Sequence, residues 1–205
     1  MIRILCTDIS RLDGHARRRL YKQASPERKA KADRYRLPED SLRCLAAGAL
    51  LRLALGDQDL PTATDPQGKP HIPQRPDFHF NLSHAGSWAV IAFGGSPVGV
   101  DVERIREDTD IRAFSARFFT PQEARYVLED PALSRDRFFR VWTDKESYLK
   151  YLGTGLRRDL RSFSVLSPEP GIRYFRQELP GGYRLSLCAA DPYVRLDFVD
   201  ASCLF

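Results

Sequence analysis

Two carboxylates in residues 98–103 have the types and the spacing of a metal-binding pair. The segment reads VGVDVE, and this alternation predicts a β-strand with one apolar and one polar face. Asp101 and Glu103 then share the polar face, with Cα atoms about 6.5–7 Å apart. Carboxylates this close require a cation between them or an added proton. Mg²⁺ suits them, because it binds through one or two carboxylates and keeps other positions for water and phosphate oxygens. A strand whose acidic face is merely solvated fits the same pattern.

A further acid lies on a predicted helix together with a lysine. Residues 134–152 carry a helical stripe of large apolar side chains, and Glu146 and Lys150, four residues apart, share one face of that helix. Trp142 lies one turn earlier, which favours packing of the helix against the core and partial burial of Glu146. An ordinary surface ion pair, worth about 0.3–0.5 kcal/mol, accounts for the same spacing.

A histidine follows Ser83 in a turn between two predicted strands. His84 precedes Ala85-Gly86, so its side chain is expected to point outward, where it could bind a phosphate. The four histidines of the chain lack the spacing of zinc ligands. The sequence also contains neither a Walker-type phosphate loop nor a GxGxxG motif.

The positive charge of the chain is concentrated near its beginning. The net charge is +5, with 15 Lys/Arg and 10 Asp/Glu in residues 1–97 but 17 of each in residues 98–205. Residues 17–36 hold nine basic side chains and two acidic ones. This concentration predicts an anionic partner, which could be a phosphate compound, a nucleic acid or an acidic protein surface. A solvated helix face is the alternative.

The predicted elements describe an α+β protein with two halves, residues 1–97 and 98–205, each with helices and an antiparallel sheet. Helices are predicted at residues 12–23, 26–36, 38–53, 111–118, 121–129 and 134–152. Strands are predicted at residues 2–9, 78–82, 88–93, 98–103, 163–167, 172–179, 183–190 and 194–198. The three strands from 78 to 103 are expected to form a meander, since only short turns separate them. Residues 57–77 are expected to form a loop.

The composition is that of a globular protein in a reducing compartment. No run of about 18 apolar residues is present, and the first ten residues lack the pattern of a secretory signal. The four cysteines are scattered, which indicates free thiols. We therefore expect a cytoplasmic protein without a membrane partner.

Six motifs appear in an order that resembles the Sfp-like 4′-phosphopantetheinyl transferases. They are GKP at residues 68–70, FNLSHAG at 80–86, GVDVE at 99–103, FF at 118–119, WTDKES at 142–147 with Lys150, and GTGL at 153–156. The resemblance covers about residues 1–190. It implies two similar α+β halves related by a pseudo-twofold axis, with coenzyme A in the cleft between them. It also implies transfer of the phosphopantetheine arm to a serine of a carrier protein, which releases adenosine 3′,5′-bisphosphate.

The same resemblance implies a role for each site residue. Mg²⁺, or Mn²⁺ in its place, would be held by Asp101, Glu103 and Glu146. Glu146 would accept the serine proton, either directly or through a metal-bound water, and Lys150 would neutralise the leaving phosphate or give it a proton. The remaining cofactor contacts would come from Arg28, Lys31, Arg43 and His84 to the phosphates, from Lys69 and Ser83 beside the adenosine, and from Pro70 and Lys145.

Two positions of the chain depart from the family pattern. The same resemblance also implies the partners. Arg28 stands where lysine is frequent, and Cys44 stands where a small hydroxyl residue is sometimes found. The partner would be an apo acyl or peptidyl carrier protein, received by exposed residues near 111–119. We expect a monomer and no nucleic-acid partner.

Two other functions are compatible with parts of the pattern. A Mg²⁺-dependent nuclease also uses an acidic pair on a strand, although Ile105 occupies the position where such sites usually place a lysine. A non-catalytic nucleic-acid-binding module could use residues 17–36, although only Tyr21 and Tyr35 are available there for base stacking.

Overall fold

The computed structural model describes residues 1–58 and 60–205, and it confirms an α+β fold. Asp59, in the predicted loop, and the side chain of Leu156, in the GTGL motif, lie outside the described residues. Within the part of the chain that is described, no helix is both long and apolar enough to cross a membrane.

The elements follow one another in two groups of helices and strands. The helices are α1 (Gly14–Gln23), α2 (Pro26–Ala32), α3 (Pro38–Ala54), α4 (Ile111–Phe118), α5 (Pro121–Leu128) and α6 (Ser134–Leu152). The strands are β1 (Ile2–Asp8), β2 (Ala63–Thr64), β3 (Pro70–His71), β4 (His79–Ala85), β5 (Trp88–Gly94), β6 (Val98–Arg104), β7 (Arg173–Leu179), β8 (Tyr183–Ala189) and β9 (Val194–Phe198). Short 3₁₀ turns occupy Gly155–Arg157, Leu160–Ser162 and Ala201–Leu204.

Two sheets pack face to face, and helices cover the outer face of each. The first sheet has the order β4-β5-β1-β9 and the second has the order β6-β8-β7. Alternate residues of β1 show the layering: Leu5 enters a core shared with α3, whereas Ile4 and Cys6 enter a core shared with β6 and β8. A third core lies between the second sheet and α5 and α6. The result is a four-layer helix–sheet–sheet–helix arrangement.

Capping side chains begin two of the helices. The side chain of Ser25 accepts a hydrogen bond from the Arg28 amide, and Thr120 and Glu123 form a complete capping box. α2 is shorter than predicted, since it ends at Ala32 and not near residue 36.

The predicted meander and one predicted strand are wrong. β6 pairs with β8 and not with β5, because two of its amides are bound by side chains of β4: Val100 N by Asn81 Oδ1 and Val102 N by Ser83 Oγ. Residues 163–167 form bends in place of a strand. Their backbone groups are occupied by two side chains, since Lys145 Nζ donates to the Phe163 carbonyl and Val165 N donates to Glu123 Oε1.

The division of the chain at residue 97 needs one correction. β9 lies in the first sheet, where it runs parallel to β1 with Ile2 opposite Val194. Beyond it, Leu204 is buried in the core beneath α3. Residues 194–204 therefore belong structurally with the first half. The pseudo-twofold relation of the halves remains a prediction.

A glycine permits the contact between β6 and α6. A Cβ atom at Gly99 would overlap the carbonyl oxygen of Ser147 and the amide nitrogen of Tyr151, and would lie 2.8 Å from the Lys150 carbonyl carbon. The backbones of β6 and α6 thus touch directly. This close approach sets the distance between the acidic pair on the strand and the helix that carries Glu146 and Lys150.

We expect Gly99→Ala to lower the free energy of unfolding by about 1–3 kcal/mol. The atoms that the new Cβ would overlap belong to the backbone of α6 and cannot move without displacing the helix. Urea unfolding measures the loss. Gly95→Ala is the matched control: its Cβ atom would meet no atom within 4 Å, and its φ is not in the left-handed region. Equal stabilities of the two variants would contradict the role given to Gly99.

Candidate active site

A cavity of about 640 Å³ lies between the two halves. Its walls come from α2, α3, the β2–β3 hairpin, β4, β6 and α6. Nine of the residues singled out in the sequence line it: Arg28, Lys31, Pro70, Ser83, His84, Asp101, Glu103, Glu146 and Lys150. Residues from distant parts of the sequence therefore meet in one space.

Ser83 joins the two halves at the centre of this cavity. Its hydroxyl donates to Asp101 Oδ1 over 3.0 Å and accepts from Val102 N over 3.2 Å and from Lys150 Nζ over 3.1 Å. One donor and two acceptor positions are all that a hydroxyl offers. The hydrogen bonds of Ser83 are therefore fully used, and they fix the acid, the strand and the lysine relative to one another.

Asp101 is buried, and its two carboxylate oxygens have different environments. Oδ1 receives Ser83 and, over 2.7 Å, Lys150 Nζ. Oδ2 is buried without a hydrogen-bond partner among the described residues. A carboxylate oxygen left in this state carries a desolvation cost that a cation or donor would relieve.

Two further carboxyl groups share this end of the cavity. Burial, and then the charge of Asp101, raise the pKa of Glu103 to about 7. The same two causes raise the pKa of Glu146, and the ammonium of Lys150 opposes the shift. Across residues 1–58 and 60–205, no three His, Cys, Asp or Glu side chains converge closely enough to hold a metal ion. The charge of Asp101 nevertheless acts on both glutamates, and its unpartnered oxygen suits a cation.

The surroundings of His84 in the same cavity are electropositive. Burial lowers the pKa of His84 to about 4, and the charges of Lys31, Lys150 and Arg43 add to the shift. Near neutral pH His84 is therefore a neutral imidazole that can donate one hydrogen bond. Cations from α2, α3 and α6 surround it, so an anion in this place would be stabilised.

Arg43 and Lys69 lie outside the lining of the cavity. Arg43 donates to the Gly86 carbonyl over 2.9 Å and forms an ion pair with Asp40. Lys69 Nζ donates to the carbonyls of Val98 and Tyr151, over 3.1 and 2.9 Å. The ammonium of Lys69 is therefore directed to the backbone of the other half, and its contact with the adenosine stays a prediction.

Lys145 is fully buried and is not among the residues that line the cavity, and its assignment to cofactor binding stays a prediction. Its ammonium lies 2.8 Å from Glu123 Oε2 and donates to the carbonyls of Leu160 and Phe163. Three partners saturate the three hydrogens of a lysine. The Lys145–Glu123 pair instead fixes α5 and the 160–165 segment to α6.

Several cavity residues were not identified from the sequence. Asn81 lies in the FNLSHAG motif. Its side chain can bind the Val100 amide because β4 and β6 face each other without pairing as strands of one sheet. Arg52 lines the cavity from α3, where it donates to Gln23 Oε1 over 3.0 Å. The helical stripe places Arg52 off the buried side of α3, but nothing local indicates a cavity there.

Comparisons with known proteins agree with this geometry. The family model of the 4′-phosphopantetheinyl transferase superfamily matches residues 97–193. A 4′-phosphopantetheinyl transferase of Bacillus subtilis is 35% identical, with 89% of this chain and 87% of that protein covered. The 4′-phosphopantetheinyl transferase Sfp of Bacillus subtilis is 34% identical, with 82% and 83% covered. The 4′-phosphopantetheinyl transferase psf-1 of Bacillus pumilus is 32% identical, with 93% and 91% covered.

Lys145→Met should lower the free energy of unfolding by about 3–5 kcal/mol, because it leaves the Glu123 carboxylate buried and unpaired. Urea unfolding measures the loss. The double variant Lys145→Met/Glu123→Met, which removes both charges, should recover part of it. Unchanged stability together with weakened coenzyme A binding would instead identify Lys145 as a cofactor-binding residue.

Proposed function

This chain belongs to the 4′-phosphopantetheinyl transferase superfamily and is a phosphopantetheinyl transferase, and we propose that its interhalf cavity binds coenzyme A and performs the transfer to a carrier serine. The observation that carries the proposal is the polarity of the cavity. Its lining offers two polar environments: basic side chains with a neutral histidine, and three carboxyl groups with Lys150. A cofactor with a 3′-phosphate and a pyrophosphate requires both environments.

Arg28, Lys31 and His84 would receive phosphates of coenzyme A. Arg28 lies over α3, where its Nη1 is 3.8 Å from Cys44 Sγ and its side chain covers Gly48. A guanidinium held in this way presents a planar fork to phosphate oxygens. The imidazole of His84 can donate to an anion, and bound phosphate would raise its pKa from the low value that burial imposes.

Asp101, Glu103 and Glu146 would hold Mg²⁺, for which they form a suitable set of hard oxygen ligands. The unpartnered Oδ2 of Asp101 and the raised pKa values of Glu103 and Glu146 support this assignment, since each indicates negative charge that lacks compensation. When bound, the ion would neutralise the charge of the pyrophosphate oxygens. Mn²⁺ takes the same ligands.

Glu146 would act as the general base. The hydroxyl oxygen of the carrier serine forms a bond to the β-phosphorus, and the bond from that phosphorus to the bridging oxygen breaks. Adenosine 3′,5′-bisphosphate leaves with the electron pair, and the serine proton passes to Glu146. Burial and the charge of Asp101 raise the pKa of this carboxyl group, which makes it a stronger base than an exposed glutamate.

Lys150 would serve the leaving group. Its ammonium is 2.7 Å from Asp101 Oδ1, and its side chain is 29% exposed, at the edge of the cavity. It is therefore held by the acid and still accessible to an incoming phosphate. A cation at this point stabilises the charge that develops on the departing phosphate.

A surface beside the carboxylate end is suited to the carrier protein. The rings of Phe114 and Phe118 lie 6.4 and 5.6 Å from that of Trp142, which itself lines the cavity. Phe114 is 42% exposed, and Arg117 lies over the Phe118 ring. Exposed aromatic and basic groups together fit a partner with an apolar and acidic helix next to its serine.

Incubation with coenzyme A, Mg²⁺ and a purified apo carrier protein should add the mass of one phosphopantetheine group to the carrier. Intact mass spectrometry detects the addition, and fatty-acid, polyketide and nonribosomal-peptide carriers should be tried in parallel. Unchanged masses for all three would overturn the proposed function.

Asp101→Asn tests the site within the same assay. The amide keeps the shape and one acceptor but removes the charge, so transfer should fall by at least about 100-fold while the thermal midpoint stays within a few degrees. Asp108→Asn, at an exposed position, is the matched control and should transfer normally. Unfolding of the Asp101 variant would instead indicate a structural role.

Divalent cations should stabilise the protein more strongly at alkaline pH. The pKa of Glu103 is raised to about 7 in the folded chain, so its contribution to stability is present below its ordinary pKa and is lost as pH rises through 7. Bound Mg²⁺ would offset that loss. The rise in thermal midpoint on adding MgCl₂, relative to NaCl of equal ionic strength, should be larger at about pH 8 than at about pH 5.5. Equal shifts at both pH values would refute this metal assignment.

A further inference from the structure

We propose that Lys69 is a positioning residue that couples the adenosine-side wall of the cavity to the catalytic elements of the other half. This inference rests on the proposed function, and it replaces the direct contact with adenosine that the family resemblance implies. The two carbonyls bound by Lys69 belong to β6 and α6, the elements that carry all the catalytic and metal residues assigned above.

The two carbonyls occupy critical places in those elements. Val98 begins β6, three residues before Asp101, and Tyr151 follows Lys150 in the last turn of α6. The final four carbonyls of a helix lack partners within the helix, and cations near that end are favoured by the helix dipole. Lys69 therefore caps the catalytic helix with a group from the opposite half.

The close contact between β6 and α6 makes the geometry of both elements sensitive to the Lys69 ammonium. Their backbones touch at Gly99, between Val98 and the acidic pair. Lys69 binds both sides of that contact with one ammonium, and its methylene groups pack near Gly153, whose φ of 74° ends the helix. Loss of the ammonium would free both the end of the helix and the start of the strand.

The segment that supplies Lys69 is a rigid turn on the cavity wall. Asp65 accepts hydrogen bonds from the amides of Gln67 and Lys69, over 3.0 and 2.8 Å, and its own amide binds the Lys69 carbonyl over 3.0 Å. Gly68 and Pro70, on either side of Lys69, line the cavity. A ligand that presses on these two residues would therefore act, through one side chain, on the end of α6.

The side chain of Lys69 is half-buried, which is unfavourable for an ammonium and argues for a specific role. Burial lowers its pKa, and the charge of Asp65 opposes the shift. A lysine at an ordinary surface turn would keep its ammonium in water. Here the ammonium reaches the other half, and its hydrogen bonds to the two carbonyls replace the hydration that it loses.

Lys69→Met tests the coupling, since it keeps the length and removes the donors. We expect kcat to fall by about tenfold or more, because small displacements of catalytic groups are costly. Amide hydrogen exchange in residues 149–155 should become faster, as the end of α6 loses its cap. Lys69→Arg should recover most of the activity. Lys22→Met, at an exposed position in α1, should change neither quantity.

Two comparisons separate positioning from direct contact with the cofactor. If Lys69 touches the adenosine or its 3′-phosphate, Lys69→Met should raise KM for coenzyme A with kcat unchanged. For a contact with the 3′-phosphate, this rise in KM should shrink with 3′-dephospho-coenzyme A as substrate. If Lys69 positions α6, the loss in kcat should be the same for both substrates. It should also be smaller in a Lys150→Met background, where the group being positioned is already gone.

An unchanged kcat together with unchanged exchange in residues 149–155 would overturn the proposal. If Lys69→Met unfolds at the assay temperature, the same two measurements are made on Lys69→Gln, which keeps a hydrogen-bond donor. The unsubstituted chain tests the proposed function separately: transfer by it together with a silent Lys69→Met variant would refute the coupling alone.

Discussion

The site depends on a set of side-chain to backbone hydrogen bonds between β4 and β6. These strands face each other across the two halves without forming a ladder, and Asn81 and Ser83 bind the amides that a neighbouring strand would otherwise bind. A buried amide without a partner costs about 1–3 kcal/mol, so the two strands are held in one register. Because Ser83 also binds Asp101 and Lys150, that register is at the same time the geometry of the reaction centre.

The buried charges of the molecule are of two kinds. Lys145 and Glu123 lie at 0% exposure with all their hydrogen-bonding groups used, and such a pair serves the scaffold. Asp101, in contrast, keeps one buried oxygen without a partner, and its charge perturbs two neighbouring carboxyl groups. A charge left partly uncompensated is unfavourable for the isolated fold. A bound divalent cation, as proposed above, would supply the missing counter-charge.

The sequence was sufficient for the features that depend on short-range pattern. The alternation of residues 98–103, the caps of α2 and α5 and the i,i+4 relation of Glu146 and Lys150 all concern neighbours in the chain, and the structure contains each of them. The errors concern long-range competition. Residues 163–167 look like a strand, but the groups that take up their backbone belong to Glu123 and Lys145, about 20 to 40 positions away. Lys145 and Lys69 belong to motifs that predict ligand binding. Only the packed structure shows that their ammonium groups donate to backbone carbonyls of the protein itself.

The return of β9 to the first sheet has a consequence for synthesis of the chain. Until residues 194–198 have left the ribosome, the edge of β1 that they cover is open, with unpaired amides and carbonyls. The half that is made first is therefore the one that is completed last. Its exposed edge must be tolerated, or shielded by chaperones, for most of the time that translation takes. The two halves therefore cannot fold one after the other as independent units, because residues 194–198 supply a strand of the first sheet.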